Sequence, residues 1–203
     1  LVFSISIFSC KEDKIDKPVS FPHTMYVDKI TSKSDLKLFS NKSEITDVIT
    51  KTNFVSNVPN FDLLTQPLDP TENITFVTQD TIIFSSSTIK FAVEKSGDQY
   101  LFYSDFFYAD ITFKGVVYDL LRFNYPKTPL PSASGFQYKT KEVRVAHGDY
   151  TDLQLSVLSY KIKQGNSWES ETLFNEFNDS VISEIGLNDT LAVREFIIYL
   201  KSK

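Results

Sequence analysis

The 203 residues fall into stretches of unlike hydrophobic rhythm. Residues 1–9, LVFSISIFS, are apolar or small, and at Cys10 the chain turns at once to Lys11-Glu12-Asp13-Lys14. Residues 11–22 stay charged and contain Pro18 and Pro22, the composition of a solvated tether. Beyond it Met25–Ile30 predicts a short strand. Ile45, Val48, Ile49 and Thr52 recur at i, i+3, i+4 and i+7, which predicts a helix capped by Ser43 and ending near Phe54. Pro59, Pro67 and Pro70 then punctuate a loop-rich passage.

From Glu72 the rhythm shortens to that of strands. Asn73–Thr78, Thr81–Ser85, Thr88–Glu94 and Gln99–Ser104 are β-branched and aromatic, with hairpin signals between them. In Thr88–Glu94, Ile89, Phe91 and Val93 alternate with polar or small neighbours, the pattern of a half-buried antiparallel strand. Asp110–Lys114, Val116–Phe123, Phe136–Ala146 and Leu153–Lys163 continue the series, interrupted by a Pro-rich loop at 125–131. Residues 170–185 fit a helical face ending at Gly186, although Ser180–Ile185 could equally be a strand before a turn. Thr190–Leu200 predicts a last strand with Phe196, Ile198 and Leu200 on one side. The sum is an all-β fold, a mainly antiparallel sandwich or barrel, with one or two short helices. Residues 23–203 form its single globular domain, behind a leader (1–9) and a tether (10–22).

Composition narrows the function. A net charge of −5 argues against a nucleic-acid surface, whose affinity rests on clustered Lys and Arg. One Cys and two His leave little for metal or nucleophile chemistry, so neither a metal site nor a cofactor is expected. The apolar run 1–9 is too short to span a bilayer, which takes about 20 residues. It reads as the tail of a signal peptide.

The end of that run, Ile7-Phe8-Ser9-Cys10, resembles the lipobox of bacterial lipoproteins. The resemblance implies that the Cys10 thiol carries lipid and anchors the chain in the outer membrane. Lys11-Glu12-Asp13 is similar to the export signal of surface lipoproteins in the Bacteroidetes group, which implies an outward-facing domain. The triplets at Asp80, Asp179 and Asp189 resemble the Asp-Ser/Thr-aliphatic acceptor of O-glycosylation in that group. The resemblance covers the leader and these triplets, and it gives no family for the domain.

Ten of the aromatics crowd into residues 100–125. They fit a platform for a ligand, with Tyr103, Tyr108 and Trp168 as candidate contacts, or a two-layer β core. Asp105, Asp110 and Asp119 lie among these rings and are candidate acid–base carboxylates. His147, with Asp149 or Asp152, is a candidate for a serine triad, although no G-x-S-x-G elbow marks a serine. The sequence therefore leads to a lipid-anchored binding module for a small ligand, glycan or envelope protein. A small envelope hydrolase and a structural subunit of an envelope complex are the alternatives.

Overall fold

The computed structural model describes residues 19–57, 73–85, 87–110, 128–132 and 135–203. The leader, most of the tether, the passage holding Pro59, Pro67 and Pro70, and the strand expected at Val116–Phe123 lie outside the described residues, as does Asp110–Lys114 beyond Asp110. Among the described residues the fold is mostly antiparallel β with two short helices, as the strand spacing predicts.

Eight strands close into a barrel. In ring order they are β1 (His23–Ser32), β4 (Asn73–Thr78), β5 (Thr81–Phe84), β6 (Lys90–Ser96), β7 (Gln99–Tyr103), β11 (Val143–Gly148), β12 (Asp152–Gln164) and β14 (Thr190–Ser202), which pairs back onto β1. Every pairing in the ring is antiparallel. An eight-stranded barrel is just wide enough for side chains to fill. Here Phe76, Phe84, Phe91, Tyr100 and Phe102 fill it, each wholly buried. Their rings meet edge to face, Phe84 on Phe91 at 5.4 Å and Phe76 on Tyr100 at 6.2 Å, the geometry that the ring quadrupole favours. Of the aromatic block, Tyr100 and Phe102 are thus core. Phe91 and Val93 turn inward as their alternation predicts, while Ile89 precedes β6 and is exposed.

β12 and β14 outrun the barrel. Their register holds from Asp152↔Lys201 to Lys163↔Thr190, and only the Asp152 end belongs to the ring. The far end carries β13 (Ser167–Leu173) on β12, and β2 (Lys37–Ser40) with β3 (Ser43–Glu44) on β14. The buried face changes sides along this ribbon. Leu155, Val157 and Ile198 point into the barrel, whereas Leu158, Tyr160 and Val193 point the opposite way into a second core. Alternation therefore fails in β12, where every residue from Leu155 to Ile162 is buried. The stretch 170–185 supplies the cover. β13 ends at Leu173, and helix α2 (Val181–Glu184) brings Val181 and Ile185 onto that core.

Two expectations need correction. Ser43 does not cap a helix. Asn41 and Lys42 take positive φ (50° and 61°) in the two-residue turn that pairs β2 with β3, so Ser43 belongs to a strand. Helix α1 (Val48–Asn57) starts later, with Asp47 Oδ1 accepting the Thr50 N–H at 2.8 Å. The Thr50 hydroxyl, which also donates to Asp47, holds that carboxyl below its ordinary value. Ile45 and Phe54 pack on Leu38 and Ala192, which leaves Val48 and Ile49 73% and 70% exposed rather than buried. The second correction concerns Phe136–Ala146, which is two strands, β10 (Gly135–Thr140) and β11. The Pro-rich loop yields β9 (Thr128–Ser132) at the edge of a small sheet ordered β8 (Phe107–Asp110), β10, β9. Pro129 and Pro131 lack an N–H toward the same side, which only an edge strand tolerates.

The β11–β12 turn requires a glycine at its start. Gly148 has φ +122°, and a Cβ there would collide with the Asp152 carbonyl oxygen. Asp149 Oδ1 accepts from the Thr151 hydroxyl (2.6 Å) and the N–H groups of Thr151 (2.7 Å) and Asp152 (3.1 Å). The Thr151 hydroxyl is the main cause holding the Asp149 carboxyl below its ordinary value. Gly148→Ala is expected to cost about 2–4 kcal/mol in urea unfolding. Because its folded pKa is lowered, Asp149 contributes stability above its unfolded value of 3.8 that disappears as pH falls through the folded one. Urea midpoints measured from pH 5 to pH 2 should therefore fall less steeply in Asp149→Asn than in the parent.

Candidate functional site

The seam between β11 and β12 closes only part way. Ala146–Gly148 pair with Leu155–Leu153, but at Val145 the partner changes, and its N–H donates to the Phe174 carbonyl at 2.9 Å. From there β11 and β13 diverge. The fork is a cleft of about 260 Å³ lined by Glu142, Val143, Arg144, Glu171, Thr172, Leu173, Phe174 and Asn175.

Arg144 forms the floor. Its guanidinium lies 4.0 Å from the Phe84 ring centroid and 4.5 Å from those of Phe91 and Phe174. Nε donates to Glu142 Oε1 at 2.8 Å. Arg144 thus caps the barrel interior at this end, with its charge over three ring faces and a carboxylate alongside. Glu142 is fixed in turn by its backbone, since its N–H donates to Ser104 Oγ (2.9 Å) and its carbonyl accepts the Ser104 N–H (3.0 Å).

The Ser104 bond brings the 103–106 loop to the cleft rim. Phe106 is 49% exposed there, with Lys139 Nζ 4.4 Å and Lys141 Nζ 4.5 Å from its ring centroid. Lys141 also lies 5.7 Å from the Tyr103 centroid. Glu142, Arg144 and Glu171 line the cleft, and Lys141 precedes Glu142 in the chain. This end is opposite the one at which the described chain enters. Gly148 and Tyr150 lie at the entry end, where His23 Nε2 donates to the Tyr150 carbonyl at 2.6 Å. Val143 is five strand residues away, about 17 Å at 3.3–3.4 Å per residue.

At the entry end a second aromatic group surrounds Tyr150, with Phe21 at 5.7 Å and Phe76 at 5.0 Å. Lys95 Nζ stands 4.8 Å from the Tyr100 ring, and the phenol oxygen raises the Lys95 pKa although its geometry falls short of a hydrogen bond. Burial raises the Tyr150 pKa.

The candidate residues from sequence scatter. Tyr103 is at the cleft rim on β7. Tyr108 lies on β8 in the small sheet, and Trp168 on β13 opposite Lys163, toward the far tip of the ribbon. These three strands do not pair with one another. Asp105 is exposed in the loop after β7, Asp110 ends β8, and Asp119 lies outside the described residues. Cys10, Lys11, Glu12 and Asp13 also lie outside them.

His147 has a partner that sequence reasoning missed. Its Nε2 donates to Glu176 Oε1 at 3.0 Å, and Ser156 Oγ donates to the same oxygen at 3.2 Å. A triad needs the imidazole between the serine and the acid. Here the carboxylate lies between the other two, and Asp149 is spent on its turn. The arrangement is a clamp that pins the 174–177 strap to the barrel wall, reinforced by Lys33 Nζ at 3.9 Å from Glu176 Oε1. Arg144 and Glu176 escaped notice because neither sits in a motif. Of the glycosylation-like triplets, Thr81 and Thr190 are strand residues, and Ser180 is exposed ahead of α2. Among the described residues no cluster of three metal-ligating groups occurs.

Comparison with protein-family models, with curated proteins and with solved structures finds no match to this chain. Arg144→Ala is expected to lower stability by about 2–3 kcal/mol in chemical denaturation, through lost ring contacts and packing. Arg144→Lys should recover less than half of that, because an ammonium is compact and strongly hydrated and lacks the planar face that a guanidinium offers to rings.

Proposed function

We propose that this chain is a lipoprotein held in the bacterial outer membrane through Cys10, facing outward, whose barrel is a binding module rather than a catalyst. The observation that carries the anchor is the abrupt change at Cys10, where an apolar run ends in Ile7-Phe8-Ser9-Cys10 and a charged tether begins. Acyl chains on that cysteine bury CH₂ groups at about 0.8 kcal/mol each, and two or more make attachment stable. Lys11-Glu12-Asp13 supports the outward orientation by its likeness to a surface-export signal.

Binding is favoured over catalysis by the arrangement of polar groups. The barrel interior is packed with rings, so a ligand has to meet the outer surface or the cleft at the Arg144 end. That cleft opens at the end away from chain entry, so a tethered domain would present it to the surroundings. His147 and Ser156 are both committed to Glu176, which leaves the hydrolase alternative without a nucleophile–base contact at that histidine. In cell fractionation Cys10→Ala should move the protein from the membrane to the soluble fraction. Retention in the membrane would end the anchor reading. Protease added to intact cells should remove the domain, and full protection would end the outward orientation.

A further inference from the structure

The strap at 174–177 stands apart from the barrel it crosses. None of its residues pairs in a ladder among the described residues, and the eight-stranded ring closes without it. A backbone bond ties it to β11, from the Val145 N–H to the Phe174 carbonyl. Side chains supply further ties. Glu176 Oε1 meets three separate elements: it accepts from His147 Nε2 on β11 and Ser156 Oγ on β12, and Lys33 Nζ, just past β1, stands 3.9 Å away. The Phe177 N–H reaches Glu195 Oε1 on β14 at 3.5 Å, and Lys33 holds that carboxylate as well, at 3.3 Å. A segment fastened in this way to a complete wall can lift as a local unit, at less cost than opening the sheet.

The strap is also part of the cleft. Phe174 and Asn175 line it, and the Phe174 ring centroid lies 4.5 Å from the Arg144 guanidinium and 6.0 Å from that of Phe84, which is wholly buried. Lifting the strap therefore removes one wall of the cleft and uncovers the ring layer beneath it.

The fastening depends on protons at both partners. The Glu176 carboxylate accepts, so a proton on it weakens its contacts with His147, Ser156 and Lys33 together. His147 offers an N–H when neutral, and a charged imidazole adds attraction across 3.0 Å. Among the described residues the charged groups recorded around this pair are Lys33 and Glu195, and the residues paired with His147 on β7 and β12 are the neutral Gln99 and Gln154. Lys33 favours an ionised Glu176 and opposes a charged imidazole, which Glu195 favours. With the His147 and Glu176 side chains 33% and 32% exposed, the charge on His147 should shift the opening equilibrium only about two- to fivefold.

We propose that the strap is a proton-sensitive latch over the cleft, held most firmly when Glu176 is ionised and His147 charged. Falling pH releases it by protonating Glu176, and rising pH loosens it by discharging His147, so closure passes through a maximum between the two titrations. The latch concerns the wall of the cleft and holds whether or not Cys10 carries lipid.

Amide exchange of the whole unlipidated chain, followed by NMR from pH 4 to pH 8 and corrected for the intrinsic exchange rate, provides the test. The Val145 and Phe177 N–H groups report on the strap, and amides of the β12–β14 ladder such as Val157 report on the barrel. Protection at Val145 and Phe177 should pass through a maximum and fall about two- to fivefold toward pH 8, while Val157 follows a different course. That fall should share its midpoint with the ring-proton titration of His147 in the same spectra, and not with that of His23. His147→Gln keeps a donor without a titration, so it should abolish the fall toward pH 8 and leave the acid one. Glu176→Gln should lower protection of both reporters at every pH and flatten both limbs. A flat profile in the parent, a profile that Val157 shares, a midpoint unlike that of His147, or a His147→Gln variant that keeps the alkaline fall would each overturn the proposal.

Discussion

The β12–β14 pairing carries the architecture. Twelve residues on each strand stay in register from Asp152↔Lys201 to Lys163↔Thr190, and this one ladder serves two enclosures. At one end it is the final seam of the barrel. At the other it is the spine of a sheet flanked by β13, β2 and β3. A strand has only two faces, so a ribbon that borders two cores on opposite sides must bury residues of both parities. That requirement explains the unbroken burial from Leu155 to Ile162. It also explains why β11 leaves β12 at Val145: past that point β12 pairs with β13 instead. The cleft follows from this change of partner.

The individual strands were largely legible. Asn73–Thr78 coincides with β4, and Gln99–Ser104 and Leu153–Lys163 match β7 and β12 to within a residue at each end, because β-branched and aromatic runs between turn residues carry a local signal. The helix illustrates the opposite case. A helix does form, but not on the face its periodicity named: the register of β2 on β3 took Ser43, and contact with Leu38 and Ala192 selected Phe54 over Val48 and Ile49. Nothing local could weigh those tertiary contacts. In 170–185 the helical reading holds only from Val181: Ser180–Ile185, which could equally have been a strand, makes the helical turn, and the strand lies earlier, ending at Leu173.

The site was less legible than the fold. Aromatic crowding drew attention to residues 100–125, and the structure turns Tyr100 and Phe102 inward while leaving Phe106 at the surface. Composition alone cannot separate a core ring from a surface ring when both lie in one strand and its following loop. The partners that give Phe106 and Arg144 their roles come from residues 139–144 and 171–175, which become neighbours only when the seam forks. Glu176 is a similar case, a single carboxylate whose place beside His147 and Ser156 depends on the strap after β13 crossing the barrel wall.

β1 is zipped to β14, with Met25 opposite Ser202 and Ser32 opposite Phe196. The ring thus joins its earliest strand to its latest, across some of the longest sequence separations the chain offers. Loop closure over such spans must precede any reward from the contact, and folding of this kind is slow. Until β14 has been synthesised the barrel has no seam to close, and the aromatic interior has no wall on that side. The order of synthesis therefore runs ahead of the order of folding. If the chain is exported as proposed, a topology that defers closure to its last strand would prolong the interval in which it can still be threaded across a membrane.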